Sequence, residues 1–351
     1  MFAKKNLIAL AALATLAVSA QAQSSVTLYG NVDAGVAYTK TKVTGADSTS
    51  TTGVESSILT DSFFGLKGQE DLGGGLKAIF KLESFIDVDT GATTAGNFFG
   101  KNAYVGLAGD FGTVKLGNQE SLFKTEAGAF DAFGTSAQLA ISKLVIGQDG
   151  SWQNTVGYVS PNLSGFTISA QHSAKEGVKK LAANSYQGGA TAMAVNYTAG
   201  ALGLSAVLGD VRTTDSNTPA TTSDSRDRSF LLGASYDFSV VKAFAQYGQN
   251  KAKLRTGDES KDTFFQVGAV VPVSQTDSIH AAYGQNKNDD LTPGNTDVKT
   301  KQFSLAYHHA LSKRTSTYAA LAYTDAKTQV PATPDSKTKT TLFAVGVRHA
   351  F

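Results

Sequence analysis

The stretch AQAQSSVTLYGNVDAGVAYTK, residues 20–40, contains the alternation that decides the fold. Beginning at Val26, every second residue is apolar or small, and these residues are Val26, Leu28, Gly30, Val32, Ala34, Val36 and Tyr38. A period of two places them on one face of a β-strand. In a water-soluble protein that face meets a core, whereas in a membrane-spanning barrel it meets lipid. The rest of the sequence distinguishes between a soluble sheet protein and a membrane-spanning barrel.

The residues before this strand predict export. Lys4 and Lys5 precede a mostly apolar run from 6 to 18, and Ala20-Gln21-Ala22 has the A-x-A form of a cleavage site. The run is short for a membrane-spanning helix. We therefore expect residues 1–22 to be a Sec signal peptide that is removed, and residues 23–351 to form one domain, a transmembrane barrel.

The composition narrows the class further. The chain has 31 Lys and Arg against 29 Asp and Glu, a balance that gives no support for nucleic-acid binding. It has no cysteine, which excludes a disulfide framework. After the signal there is no apolar run long enough for a spanning helix, so only a β-barrel could cross a membrane. Glycine is frequent (35) and proline rare (6), as expected where proline would remove ladder hydrogen bonds.

Short and long connectors alternate between the period-two segments. The short ones are 70–75, 109–112, 160–165, 198–202, 237–240, 272–277 and 310–315. The long polar ones are roughly 40–54, 87–97, 118–150, 173–186, 211–226, 250–262, 286–300 and 325–340. Short turns on one rim and long loops on the other are typical of outer-membrane barrels.

Counting the segments between connectors predicts about sixteen strands, an even number. Their approximate centres are 32, 62, 80, 103, 115, 155, 168, 193, 206, 232, 245, 267, 281, 305, 320 and 346. An all-β, closed, antiparallel transmembrane barrel leaves no unpaired edge in lipid, and this many strands enclose a water-filled lumen. We therefore expect Val26, Leu28, Val32, Val36 and Tyr38 to face lipid or a neighbouring subunit. Asn31 and Asp33 should face water inside the barrel.

Five stretches spread over 23–351 resemble the general trimeric porins of the Gram-negative outer membrane, in the branch typical of beta-proteobacteria. They are QSSVTLYGNVDAGVAY, FFGLKGQEDLGGGLKAIFKLE, AYVGLAGDFGTVKLGNQ, NTVGYVSPNLSGF and the terminal GVRHAF. The resemblance implies a homotrimer of sixteen-strand barrels in the outer membrane, in contact with lipid and lipopolysaccharide. It also implies a passive diffusion channel for ions and small hydrophilic solutes, with the third long loop folded into each lumen.

The third long loop, about 118–151, carries the acids Glu120, Glu126 and Asp131. The resemblance implies that such acids face basic residues on the wall, creating a field across the constriction that tunes ion passage. The basic candidates are Lys101 and, by inward parity, Lys67, Lys77, Lys81 and Lys115. The alternative for each lysine is a solvated lumen charge with no filter role.

The basic side departs from the pattern of the family. Phe63, Asn118 and Gly157 stand where relatives often have arginine. We therefore expect a weakly selective pore, with less positive charge at the constriction than in anion-selective relatives.

The chain ends in Phe351, an aromatic residue on the outward parity of the last strand. A terminal aromatic of this kind resembles the signal read by the barrel-assembly machinery. We expect that machinery to be a partner of the chain and Phe351 to be its assembly signal.

No enzyme motif stands out. The five histidines are His172, His280, His308, His309 and His349. They form no spaced metal set, because adjacent strand residues point to opposite faces. We expect no catalytic residue, no metal and no cofactor.

Two alternatives remain: an outer-membrane enzyme or adhesin, and a substrate-selective channel on the same barrel. The selective channel would line its lumen with an aromatic slide, for which the candidates are Phe63, Phe85, Phe130, Phe133 and Trp152.

Overall fold

The computed structural model describes residues 25–93, 97–144, 150–174, 187–213, 225–254, 257–291 and 296–351. The predicted signal peptide lies outside these ranges. None of the helices in them is both long and apolar enough to span a membrane. The elements in chain order are β1 (Ser25–Val43), β2 (Thr49–Ser56), β3 (Phe63–Gly73), β4 (Leu76–Asp87), β5 (Ala92–Thr93), β6 (Asn102–Gly109), β7 (Gly112–Glu120), α1 (Leu122–Ala129), a 3-10 turn (Ser142–Leu144), β8 (Ser151–Val159), β9 (Phe166–Ser173), β10 (Gln187–Ala199), β11 (Leu202–Thr213), β12 (Ser225–Asp237), β13 (Lys242–Leu254), β14 (Glu259–Pro272), β15 (Asp277–Asp290), β16 (Asp297–Ala310), β17 (Thr315–Gln329) and β18 (Ser336–Ala350).

The strands close into an antiparallel barrel. Strands neighbouring in sequence pair along the chain, and the ring closes where β1 pairs with β18, from Asn31 opposite Ala350 to Val43 opposite Thr338. Closure leaves no strand edge open, which is the condition for a sheet that meets lipid. The predicted class, a closed sixteen-strand antiparallel barrel, is confirmed.

Two short strands raise the number above sixteen in the described part of the chain. β2 and β3 share β1 as a partner: β1 pairs with β3 over its first half and with β2 over its second half. They are one barrel strand interrupted at 57–62, and the two-residue β5 pairs with the end of β4. The predicted strand centre at 62 falls near the middle of this combined strand, and what the sequence did not predict is the interruption there.

The carboxylate of Asp33 holds this interruption in place. It accepts hydrogen bonds from the backbone N–H groups of Leu59 (2.7 Å) and Thr60 (2.6 Å) and from the Tyr318 hydroxyl (2.6 Å). Ser57 has φ of 60°, a left-handed conformation that a regular strand does not contain. The prediction that Asn31 and Asp33 face lumen water is corrected: their side chains point inward but are buried beneath the interruption.

The two faces of the sheet differ as the alternation predicts. In β1 the outward residues Val26, Leu28, Val36 and Tyr38 are exposed, and Val32 has the same parity. On the inward face, polar residues such as Gln246 and Gln266 alternate with small ones. Several large buried apolar residues, among them Phe123, Leu139 and Ile141, lie in the connector after β7, and others such as Leu231 and Phe264 lie on the inward face of the wall. The core is therefore formed between that connector and the barrel wall.

Short connectors lie on one rim and long connectors on the other, as predicted. Several of the long connectors are shorter than predicted. β13 ends at Leu254 and β14 begins at Glu259, and the predicted connectors 286–300 and 325–340 also consist mostly of strand. Beyond the lipid both faces of a strand meet water, so the alternation disappears while backbone pairing continues. Polarity alone therefore could not locate the ends of these strands.

Candidate pore constriction

The connector between β7 and β8, residues 121–150, begins with helix α1. Ser121 caps the helix, because its hydroxyl accepts a hydrogen bond from the backbone N–H of Lys124 (3.1 Å). Leu122, Phe123 and Ala127 form the buried face of the helix. The described part that follows, through residue 144, has almost no regular structure and is held by side chains of the barrel. We call residues 121–144 the inner segment.

Three buried glutamines of the wall donate to backbone carbonyls of the inner segment. Gln246 on β13 donates to Ala127 (2.6 Å), and Gln266 on β14 donates to Phe130 (3.0 Å). Gln302 on β16 donates to Leu139 (3.3 Å). All three glutamines lie on the face opposite the exposed apolar residues, and each buried hydrogen bond satisfies a carbonyl that no helix or strand satisfies.

The inner segment also contacts the interruption between β2 and β3. The Ser136 hydroxyl donates to the backbone carbonyl of Ile58 (2.6 Å), and both residues are buried. Glycines on the wall allow a close approach on the other side: a Cβ at Gly284 would collide with Ile141, and one at Gly233 with Phe130. The segment thus contacts inward residues of β12–β16 and the β2–β3 interruption at once.

Asp131 stabilises the inner segment itself. Its carboxylate accepts hydrogen bonds from the backbone N–H groups of Phe133 (2.9 Å) and Ser142 (2.7 Å), and only 5% of the residue is exposed. Burial raises the pKa of Asp131 to about 6, although these hydrogen bonds act in the opposite direction. The prediction that Asp131 presents a charge to the pore is corrected: its oxygens are used inside the segment.

Glu126 fastens α1 to the wall. Its two carboxylate oxygens accept from the amide of Asn196 on β10 (2.9 Å) and the hydroxyl of Ser205 on β11 (3.1 Å). The structure therefore places Glu126 against neutral polar groups and not opposite the wall lysines.

A cluster of four charges lies where β7 meets α1. Glu120, the last residue of β7, is 2.8 Å from the Lys101 amine and 3.3 Å from the Lys124 amine. Lys124 also lies 3.9 Å from Asp61 in the interruption, and all four side chains are less than 20% exposed. Sequence reasoning identified Glu120 and Lys101 but missed Lys124 and Asp61. The available signal for Lys124 was its position four residues after Glu120, one helical turn away.

Two phenylalanines support this cluster. The Lys101 amine lies 5.2 Å from the ring centre of Phe63 and 4.9 Å from that of Phe85, and the Lys124 amine lies 4.6 Å from Phe85. Cations at these distances are attracted to the ring face. Asp61, Lys124, Thr135 and other residues of the inner segment line an open cavity beside the cluster.

The register places the other predicted lysines on the inward face. Lys67 on β3 stands opposite Lys81 on β4, and Lys77 stands opposite Asp71. The Lys67 amine lies 4.6 Å above the Tyr29 ring, and the Lys115 amine lies 5.3 Å above the Tyr104 ring. Lys81 is paired with the buried Glu83 at 3.2 Å. These side chains form a row that we call the wall lysines: Lys67, Lys77, Lys81 and Lys115.

The aromatic candidates do not form a continuous slide. Phe130, Phe133 and Trp152 are 8%, 4% and 1% exposed, so their rings pack in the core. Of the five candidates, Phe63 and Phe85 are half-buried, and the Lys101 amine lies over the ring of each. Across the described ranges, no group of three or more His, Asp or Glu side chains could hold a metal ion.

Phe351 joins the closing strand to β1. Its backbone N–H donates to the carbonyl of Gly30 (3.1 Å), and the Gly30 N–H donates back to the Phe351 carbonyl (3.2 Å). Its side chain is 38% exposed. The last residue of the chain is therefore part of the barrel closure.

Three comparisons with known proteins agree with this architecture. Residues 9–329 match the family model described as Gram-negative porin. Outer membrane porin protein 32 of Delftia acidovorans is 34% identical and aligns over 99% of this chain and 100% of its own length. An anion-selective porin from Comamonas acidovorans has a solved structure that is 30% identical, with a TM-score of 0.76 over 94% of this chain and 100% of that one. OmpT of Vibrio cholerae in its trimer form is similar in fold, with 14% identity and a TM-score of 0.64 over 93% of this chain and 99% of that one.

Proposed function

The chain belongs to the family of Gram-negative porins, and from that premise we propose that its inner segment and wall lysines form the narrowest part of the pore. It is an outer-membrane porin, a passive channel for ions and small hydrophilic solutes. Members of this family are channels and not enzymes. The observation that carries the proposal is the row of glutamine bonds from the wall to the inner segment.

The position of the inner segment follows from the faces of its partners. Gln246, Gln266 and Gln302 lie on the face opposite the exposed apolar residues, and that face of a closed barrel is its lumen. A segment that bonds to several strands from this side reduces the open cross-section. Solutes then pass between the segment and the wall that it leaves uncovered.

The charges support a few-fold preference for anions. Glu126 and Asp131 are engaged with the wall and with the segment, and Glu120 is shared by two lysines. Among the described residues, Lys67 and Lys115 contact tyrosine rings and no carboxylate. Charges in water are screened over about 8–10 Å at physiological salt, so the bias is partial.

Reversal potentials in planar bilayers test this selectivity. Replacing Lys67 and Lys115 by glutamine should move the reversal potential in a KCl gradient toward cations, and more at about 0.01 M than at 1 M salt because screening is weaker. The matched control replaces Lys313 and Arg314, two exposed residues in the turn before β17. An unchanged reversal potential, or an equal shift in the control, would show that the wall lysines do not set selectivity.

We also infer export, assembly and quaternary structure from the family. Residues 1–22 act as a cleaved signal peptide, and Phe351 is read by the barrel-assembly machinery. Three copies assemble into a homotrimer through the outward apolar residues of β1 and β18. The exposure of Val26, Leu28, Val345 and Val347, at 47–65%, supports this contact.

A further inference from the structure

A cavity of about 210 Å³ lies between the inner segment and the interruption that precedes β3. We call it the inner-segment cavity, and its lining includes Asp61, Phe123, Lys124, Ala127, Ala140 and Lys143. Because sites for drug-sized ligands measure about 300–1,000 Å³, this cavity suits a smaller solute, of about ten non-hydrogen atoms or fewer.

The floor of the cavity is apolar. Phe123, Ala127 and Ala140 are 1%, 4% and 1% exposed, and the first two lie one helical turn apart on the buried face of α1. The mouth is formed by exposed residues, which are Thr135, Ala137 and Lys143. A bound solute can therefore bury an apolar group at the floor while its polar groups stay near the mouth.

The acidic side of the cavity is Asp61. Its carboxylate lies 3.9 Å from the Lys124 amine, which is too far for a direct hydrogen bond. The Thr135 hydroxyl hydrogen-bonds to this carboxylate. A carboxylate has about four acceptor positions, so Asp61 can accept further N–H groups from a ligand.

Two lysines form the basic side. The Lys143 amine donates to two carbonyls of the inner segment, at 2.7 and 3.3 Å, and within the described part of the chain its third N–H remains for a ligand. The buried carboxylate of Asp131 attracts this amine but is bonded to backbone N–H groups. The Lys124 amine lies 3.3 Å from Glu120, which also pairs with Lys101 at 2.8 Å. Glu120 therefore does not offset the charge of both of its lysines.

This combination discriminates between classes of solute. A simple anion in the cavity would be repelled by Asp61, and a simple cation would be repelled by the two lysines. A neutral sugar would place hydroxyl groups against an apolar floor that offers them no partner. A zwitterion with an apolar side chain matches the acidic side, the basic side and the floor together.

We propose that the inner-segment cavity is a binding subsite for small apolar amino acids in their zwitterionic form. The ammonium group binds Asp61, the carboxylate binds Lys124 and Lys143, and the side chain lies against Phe123. Both polar contacts are charge-assisted hydrogen bonds. Binding has to be weak, because a solute held tightly does not leave a channel. The inference rests on the proposed function, since the solute reaches the cavity through the lumen that the inner segment narrows.

Saturation-transfer NMR on the detergent-purified full-length protein tests the proposal with L-leucine as the probe. Isocaproate has the same carbon skeleton without the amine, and isoamylamine has it without the carboxylate. The wild type should bind leucine at least about tenfold more tightly than either analogue, because each analogue lacks one charged hydrogen bond. Empty micelles measure how much of each compound partitions into detergent.

Two charge variants separate the two ends of the ligand. Asp61→Asn keeps the side-chain size and should weaken leucine binding about tenfold without weakening isocaproate binding. Lys143→Met should weaken the binding of leucine and isocaproate alike and leave that of isoamylamine unchanged. The controls are Asp335→Asn and Lys313→Met, at exposed positions in connectors away from the inner segment. They should bind all three compounds as the wild type does.

Equal affinity of the wild type for leucine and isocaproate would overturn the proposal and would indicate a general anion site. Unchanged leucine binding by Asp61→Asn, or an equal loss in its control, would also overturn it. Ala137→Phe narrows the mouth and retains every charge, so it decides the matter if a charge variant does not fold: leucine binding equal to that of the wild type would contradict the site. Normal conductance at 1 M KCl without leucine binding would count against the subsite alone, whereas absence of conductance would count against the pore.

Discussion

Asp33 and Asp131 are two acidic residues on different elements that serve the same purpose. Each accepts hydrogen bonds from two backbone N–H groups of a segment that has no regular structure of its own. An unsatisfied backbone N–H in a buried site costs about 1–3 kcal/mol, so one carboxylate can hold an otherwise irregular stretch. In this barrel, buried acidic residues therefore hold irregular segments on the inward side of the sheet.

The ionisation of Asp131 should make the inner segment sensitive to pH. Burial raises its pKa in the folded protein to about 6, above the unfolded value of 3.8, so the stabilising contribution is complete below pH 3.8 and is lost as pH rises through about 6. Current noise of single channels should increase between pH 4 and 7 as the segment loosens. Asp131→Asn, which stays neutral, should show noise that does not change over this range.

A wild type whose noise is constant between pH 4 and 7 would contradict this prediction. The control is Asp335→Asn, because Asp335 lies in the exposed connector between β17 and β18, away from the inner segment. That substitution should leave the pH response of the wild type intact.

Phe351 is a single residue whose loss should affect assembly. Deleting it removes two backbone hydrogen bonds to Gly30 and the outward ring at the point of closure. We expect the amount of protein in the outer membrane to fall severalfold and periplasmic degradation to increase, as measured by membrane fractionation and immunoblotting. Phe351→Tyr retains an aromatic ring and should assemble normally. If the deletion variant reached the outer membrane in wild-type amounts, Phe351 would not be needed for assembly.

At the level of elements, the glutamines of β13 and β14 determine how firmly the inner segment is held. Replacing Gln246 and Gln266 by alanine leaves two carbonyls without partners, at a cost of about 2–6 kcal/mol in total. The barrel strands keep their own ladder and should still fold. We expect larger and noisier single-channel currents from a looser segment.

Gln249 offers a matched control on the same strand as Gln246. It lies on the outward face, where its amide donates to the Tyr247 hydroxyl (2.9 Å). Gln249→Ala should leave conductance unchanged. If the double variant at Gln246 and Gln266 also behaves as the wild type, the segment does not limit the pore.

At the level of the whole molecule, we expect the homotrimer to depend on one side of the barrel. Replacing Leu28 and Val347 by alanine keeps an apolar outward surface but removes side-chain volume from the proposed contact. The temperature at which trimers dissociate in SDS should fall by about 5 °C, an amount typical of small losses in packing.

The matched control replaces Val195 on β10 and Leu208 on β11, which are exposed apolar residues on strands distant from the closure. It should leave the dissociation temperature within a degree of the wild type. Equal shifts in both variants would mean that the contact lies elsewhere on the outward face.

The amino-acid sequence by itself determined the barrel, its strand number and the sorting of its connectors. The face of a strand that meets lipid must be apolar, whereas the face that meets water can be polar. This difference appears in the local sequence as alternation, such as that from Val26 to Tyr38. The inward parity of Lys67, Lys81 and Lys115 followed from the same rule. It could be predicted because a strand residue has only two faces to choose between.

Only the tertiary structure decided where the irregular segments lie and which charges they leave free. The break at 57–62 depends on Asp33, which is distant in sequence and accepts hydrogen bonds from the backbone N–H groups of Leu59 and Thr60. Asp131 and Glu126 form hydrogen bonds to partners that no spacing in the sequence brings together. A loop without periodicity has no local rule for the direction of its side chains, so its charges acquire their roles only through long-range packing.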